Sequence, residues 1–143
     1  MIWRLLDIRV GRMNRRQFIL LNFVFILLSS SLKDVYLSLE QNDVSIQLLL
    51  FLAFGLALNY LSFVFVARRI RDIGYSGKYS LIFLSAFGLV VFENAMPHWL
   101  YYAFSVAGLL LLILISFSVG APGKNKYGPK PRGFNLLSGM PEK

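Results

Sequence analysis

The run Ile46 to Ala67, IQLLLFLAFGLALNYLSFVFVA, is 22 residues without a formal charge, and no other feature so narrows what the chain can become. About 20 apolar residues, rising 1.5 Å each, cross the roughly 30 Å of hydrocarbon in a bilayer. This run is therefore read as a span. A second run, His98 to Gly120, is 23 residues long and uncharged when its histidine is neutral. It opens on HWLYYAF, an aromatic cluster suited to the headgroup level. Two further apolar stretches, Gln17 to Leu32 and Tyr79 to Phe92, have 16 and 14 residues. They cross only by borrowing flanking residues, which Val35 to Leu39 and Ser76 to Pro97 supply. The expected fold is an all-α integral membrane protein, a bundle of four transmembrane helices in a single membrane domain, 1–143. The helices are placed at about 17–39, 46–67, 76–97 and 98–120. Residues 1–16 form a basic interfacial segment before them, and 121–143 a cytoplasmic tail rich in proline, glycine and basic residues.

Composition agrees with that solvent. Of 143 residues 57% are hydrophobic and 15% charged, with a mean hydropathy of +0.61, against about 25% charged in soluble domains. The absence of cysteine and the single histidine leave disulfides, thiolate chemistry and Cys/His metal sites without their ligands. Neither a metal nor a cofactor is expected. The stretch RRQFILLNFVFILLSSSLK has the basic flank, apolar run and small residues of a signal sequence. It is read instead as an uncleaved first helix, and Asn14 with Gln17 three residues on resembles a capping box that starts it.

The charges set an orientation. With both termini cytoplasmic, fourteen of the fifteen Lys and Arg residues lie inside and only Lys33 lies outside. Three acidic residues accompany the fourteen and four accompany Lys33, giving +11 inside and −3 outside. That is the positive-inside rule obeyed almost without exception. The net charge of +8 is therefore topological, and no nucleic-acid partner is expected.

One cytoplasmic loop is denser than anchoring requires. In FVFVARRIRDIGYSGKYSLIF, Arg68, Arg69 and Arg71 hold the inner hairpin in the cytoplasm, and Gly74 and Gly77 bracket a tight turn from which the third helix starts near Ser76. Asp72 adds little to orientation but can accept a bidentate hydrogen bond from an arginine and fix the loop. Topology anchoring alone and anchoring with a binding role both fit.

Three stretches, GRMNRRQF (Gly11 to Phe18), ARRIRDIGYSG (Ala67 to Gly77) and PGKNKYGPKP (Pro122 to Pro131), resemble the three signatures of the YhaH/YhaI-like bacterial inner-membrane family, domain of unknown function 805. In that family the middle signature commonly reads Arg-Arg-x-His-Asp-x-Gly-x-Ser-Gly. Arg68, Arg69, Asp72, Gly74, Ser76 and Gly77 match, while Arg71 stands where a histidine is common. No acid, base or ligand role of that histidine carries over. The resemblance implies a small helical protein of the bacterial inner membrane and no reaction.

All three stretches fall on the cytoplasmic side, so they can meet. Arg12, Arg15 and Arg16 enter the first helix, Arg68 to Gly77 close the hairpin, and Asn125 and Tyr127 lie on a tail that prolines and glycines keep from continuing the last helix. The tail either folds back on the basic loop or is disordered. Within the spans Asn22 and Asn59 are read as interhelical hydrogen-bond partners. No Asp, Glu, Lys or Arg falls in a span centre, which weighs against a proton-coupled transporter.

The expected function is a small non-enzymatic inner-membrane module whose basic cytoplasmic surface binds anionic lipid headgroups or a protein partner. The alternative is a small channel or carrier formed by a homo-oligomer. An enzyme ranks third, since Ser76 has no histidine near it in sequence and His98 falls on the opposite face of the membrane.

Overall fold

A computed structural model of the chain describes residues 6–40, 45–83, 96–136 and 138–140. Its helices are α1 (Arg15–Glu40), α2 (Ser45–Ile73), a 3-10 helix (Gly77–Phe83) and α3 (His98–Phe117). Among the described residues no strand forms, and the one bridge joins Asn125 to Gly128. Of the expected third span, 76–97, Ser76, the 3-10 helix and the last two residues are described; the stretch 84–95 lies outside the described residues, as do Asp43 and Glu93 of the two expected outer connections.

Among the described residues two helical stretches are long and apolar enough to cross a membrane: Leu49–Ile73, with a mean hydropathy of 2.2, and His98–Phe117, with 2.3. No residue of α3 is buried. A helix apolar all round needs an apolar surround, either protein or lipid, and the protein does not provide it here. Leu109, Leu110, Leu114 and Phe117 are all more than half exposed. α1 also presents Leu20, Phe23, Ile26 and Leu27 outward. Among the described residues the molecule is all-helical, and its outer surface suits a membrane.

The helix ends follow from sequence chemistry. Asn14 and Gln17 cap α1 reciprocally: the Gln17 N–H donates to Asn14 Oδ1 at 2.9 Å, and the Asn14 N–H donates to Gln17 Oε1 at 3.0 Å. α2 ends at Gly74, whose φ of 110° lies where side chains are disfavoured. The Tyr75 N–H then reaches Ile70 O and the Gly74 N–H reaches Arg71 O, each at 3.1 Å, the paired bonds of a Schellman motif.

The core sits at one end. Met13, Phe18, Val64, Phe65, Val66 and Ile70 form it, with Phe25 and Phe65 edge to face at 5.7 Å between centroids. α1 thus runs antiparallel to α2. The C-terminus of α3 joins the same end, where Leu112 and Ile115 pack on the core. The start of α1 and the ends of α2 and α3 therefore converge there, which positions the site.

Candidate functional site

Asp72 is the centre of that end. Arg69 and Asp72, three residues apart on α2, share a face, and Arg69 Nη1 donates to Asp72 Oδ2 at 2.6 Å. Arg12 arrives from the segment before α1 and holds the other oxygen, with Nε at 3.0 Å and Nη2 at 2.9 Å from Oδ1. The Arg12 and Arg69 side chains are 0% exposed and that of Asp72 is 5% exposed. One buried carboxylate therefore faces two buried guanidinium groups, an arrangement that survives only if the remaining N–H groups find acceptors.

Backbone carbonyls supply them. Arg12 donates through Nη1 to Gly123 O at 2.6 Å and through Nη2 to Ala121 O at 2.8 Å, with a longer 3.5 Å contact to Gly128 O. Arg69 donates through Nε to Ile115 O at 3.1 Å, through Nη1 to Met13 O at 3.4 Å, and through Nη2 to Ser118 O. Ile115 and Ser118 lie at the end of α3, where carbonyl dipoles favour a cation.

The tail completes the same end. Its turn is local: the Tyr127 N–H donates to Asn125 Oδ1 at 2.9 Å, and Asn125 and Gly128 exchange two backbone bonds of 3.1 Å each. The turn caps α2, because the Ala121 N–H donates to Asp72 O at 2.6 Å and Asn125 Nδ2 donates to Arg71 O at 3.0 Å. A Cβ on Gly120 would strike the Asp72 carboxylate, so only glycine permits this approach. The start of the chain is stitched in too, with the Gly11 N–H 3.3 Å from Tyr127 O and the Arg12 N–H 3.0 Å from Gly139 O.

Arg71 faces away from Asp72. Its Nη1 donates to Val10 O at 3.1 Å and Gly11 O at 3.3 Å, and its guanidinium carbon lies 5.8 Å from the Tyr127 ring centroid. Arg68 is buried, with Nη2 3.5 Å from Asp7 O. Asp7 itself pairs with exposed Arg9 at 3.1 Å. The hydrogen bond from the Arg9 side chain holds the Asp7 carboxyl below its ordinary pKa. Arg15, Arg16, Lys78, Lys124, Lys126, Lys130 and Arg132 are exposed.

The sequence pattern of a family described as Protein of unknown function (DUF805) matches residues 9–129. The chain belongs to the DUF805 family. No curated protein matches it, and neither does any solved structure. The family match takes in the first two stretches singled out above and all but the last two residues of the third. In this DUF805 chain they meet side chain to side chain or side chain to backbone: Arg12 from the first, Arg69, Arg71 and Asp72 from the second, and Gly123, Asn125, Tyr127 and Gly128 from the third.

Other residues singled out from the sequence stand apart from that knot. Gly74 shapes the end of α2, and Ser76 Oγ accepts the Lys78 N–H at 3.4 Å. Arg15 and Arg16 point outward from the first turn of α1. Asn22 and Asn59 differ from expectation. Instead of reaching another helix, Asn22 Nδ2 donates to Phe18 O and Asn59 Nδ2 to Gly55 O, each at 2.9 Å and each four residues back. A short amide in an apolar surround satisfies itself most cheaply on its own preceding turn.

Sequence reasoning also missed participants. Gly120, Gly139 and the carbonyls of Ala121, Ser118 and Ile115 act through backbone, which side-chain patterns do not display. Gly120, immediately after an apolar run and before Pro122, carried the one available signal, a helix-stop glycine. What the site offers chemically is positive charge and hydrogen-bond donors. The histidine that opens α3 lies a helix length away, about 30 Å for 20 residues.

Proposed function

We propose that the protein is a non-enzymatic, multi-pass module of the bacterial inner membrane, with four spans and both termini cytoplasmic, whose exposed basic rim binds anionic lipid headgroups. The observation that carries this reading is the division of labour among the basic residues. Arg12 and Arg69 are buried and occupied by Asp72 and by carbonyls, whereas Arg15, Arg16, Lys78, Lys124, Lys126, Lys130 and Arg132 are exposed. The buried set organises the fold, and the exposed set remains to meet a partner. Each Lys or Arg near an anionic surface contributes about 1 kcal/mol before screening. The alternative, a channel or carrier made by several copies, draws its support from α3, which has no buried residue and so has a whole face open to a second chain.

The test is reconstitution in nanodiscs of mixed phosphatidylglycerol and phosphatidylcholine, with the lipid that remains around the protein quantified by mass spectrometry after mild extraction. Phosphatidylglycerol should be enriched at low salt, and a variant carrying Arg15→Gln, Arg16→Gln, Lys126→Gln and Lys130→Gln should lose most of that enrichment. Identical lipid composition around the two proteins would refute the reading.

A further inference from the structure

The buried knot and the exposed rim do not account for Arg71. Among the described residues it forms no ion pair: Asp72 is held by Arg12 and Arg69, and Asp7, whose charge is also felt at Arg71, pairs with Arg9. Arg71 uses Nη1 for two carbonyls. Its opposite edge, Nε and Nη2, is the pair of donors with which a guanidinium grips an oxyanion in two-toothed fashion. That edge faces Gly77, where a Cβ would lie 2.6 Å from Nε and 2.7 Å from Nη2. The missing side chain is what lets the guanidinium lie there.

Beside that edge is a cleft of about 350 Å³, partly open to solvent. Arg71, Lys78, Arg9, Ser76 and Tyr127 line its polar part, with no Asp or Glu among the described lining residues. Ile8, Phe63 and Leu81 form an apolar wall. Arg9 carries its own counterion in Asp7, so the charge left for a ligand comes from Arg71 and Lys78. Two cations of different shape, neither in an ion pair among the described residues, one forked and one a mobile point charge, suit a phosphate group with several charged oxygens. The apolar wall suits the carbon skeleton attached to it.

The geometry points to this cleft as a binding site for a phosphate-bearing group, carried by a phospholipid headgroup or by a free phosphate ester. It deepens the lipid-binding reading above and rests on it, but it demands something that reading does not: one saturable site per chain, held by Arg71 and Lys78. Arg71 supplies the fork, Lys78 closes over the second face, and the backbone at Gly77 lies close beneath.

The test uses the full chain and two probes. Phosphatidic acid is titrated in phosphatidylcholine nanodiscs and counted per chain by native mass spectrometry. Inorganic phosphate is titrated against the protein in neutral detergent at constant ionic strength, and the shift in melting temperature is read. Wild type should saturate at one bound probe. Lys78→Ala, at an exposed position, should weaken that binding about fivefold, the value of one such cation, and Arg71→Lys, which keeps the charge and loses the fork, should weaken it at least as much. Lys124→Ala should lower general enrichment of anionic lipid and leave the saturable site within about twofold. Saturation by phosphatidic acid alone assigns a lipid ligand, and saturation by inorganic phosphate assigns a free ester; either upholds the cleft. Binding that never saturates, or that Lys78→Ala and Lys124→Ala weaken equally, overturns the cleft and leaves the basic rim standing. Loss of all preference for anionic lipid together with no saturable binding of inorganic phosphate overturns both.

Discussion

Replacing Asp72 by asparagine keeps the shape of the side chain and removes the one negative charge set between two buried guanidinium groups. The carboxylate accepts from Arg12 Nε and Nη2 at 3.0 and 2.9 Å and from Arg69 Nη1 at 2.6 Å, with all three side chains at 5% exposure or less. The amide retains one oxygen, so one arginine keeps its acceptor while the other meets an NH₂ group. Two guanidinium charges are then left buried without a counterion. Removing one partner of a buried pair costs about 3–5 kcal/mol. At about 2–4 °C per kcal/mol for a chain near 150 residues, melting should fall on the order of 10 °C. The assay is thermal unfolding in detergent followed by circular dichroism, with Asp7→Asn as the comparison. Asp7 belongs to an exposed pair with Arg9, and such pairs contribute little. Arg12→Met added to Asp72→Asn should restore part of the loss, because it removes one of the orphaned charges. An Asp72→Asn protein that melts with the wild type and accumulates normally would refute the reasoning and reduce the cluster to a topology anchor.

Other consequences are as direct. Asn14→Ala breaks the reciprocal cap of α1 and should cost about 1 kcal/mol in the same melting assay. Gly120→Ala places a methyl against the Asp72 carboxylate, so it should destabilise more than Gly108→Ala, where an added Cβ meets nothing within 4 Å. Asp43→Cys in intact cells should react with a membrane-impermeant maleimide added outside, as the orientation in the proposed function requires; labelling only after lysis would invert that topology.

What could be read in advance was what chemistry writes into side chains. The length of IQLLLFLAFGLALNYLSFVFVA, the Asn14 and Gln17 spacing and the glycine at 74 each carry a local physical rule, and α2, the cap of α1 and the Schellman end of α2 answer to them. The partner of Asp72 was harder. Arg68 and Arg69 lie four and three residues before it, so both are neighbours on an ideal helix, and periodicity alone does not choose between them. Tertiary placement does: Arg69 lies between Asp72 and the end of α3, whereas Arg68 turns toward Asp7. Arg12 is sixty residues away in sequence, and no local rule links it to Asp72. The tail was legible as a non-helical segment but not as the acceptor of Arg12, since it accepts through the carbonyls of Ala121 and Gly123, and any residue brings a carbonyl. Asn22 and Asn59 were read through their residue type, which is common between membrane helices, and each instead reached its own preceding turn.

The central claim is that the three separated stretches are one structure, closed by the tail over a buried Arg12, Asp72 and Arg69 knot. Residue-resolved hydrogen exchange in detergent tests it at three amides. Those of Ala121, Gly11 and Arg12 donate to Asp72 O, Tyr127 O and Gly139 O, so each crosses between segments distant in sequence. All three should exchange slowly in the wild type and accelerate together in Asp72→Asn. Exchange of these amides at the rate of a free chain, with the amides of Val64 to Ile70 in α2 still protected, would show a tail that never docks and would contradict the claim.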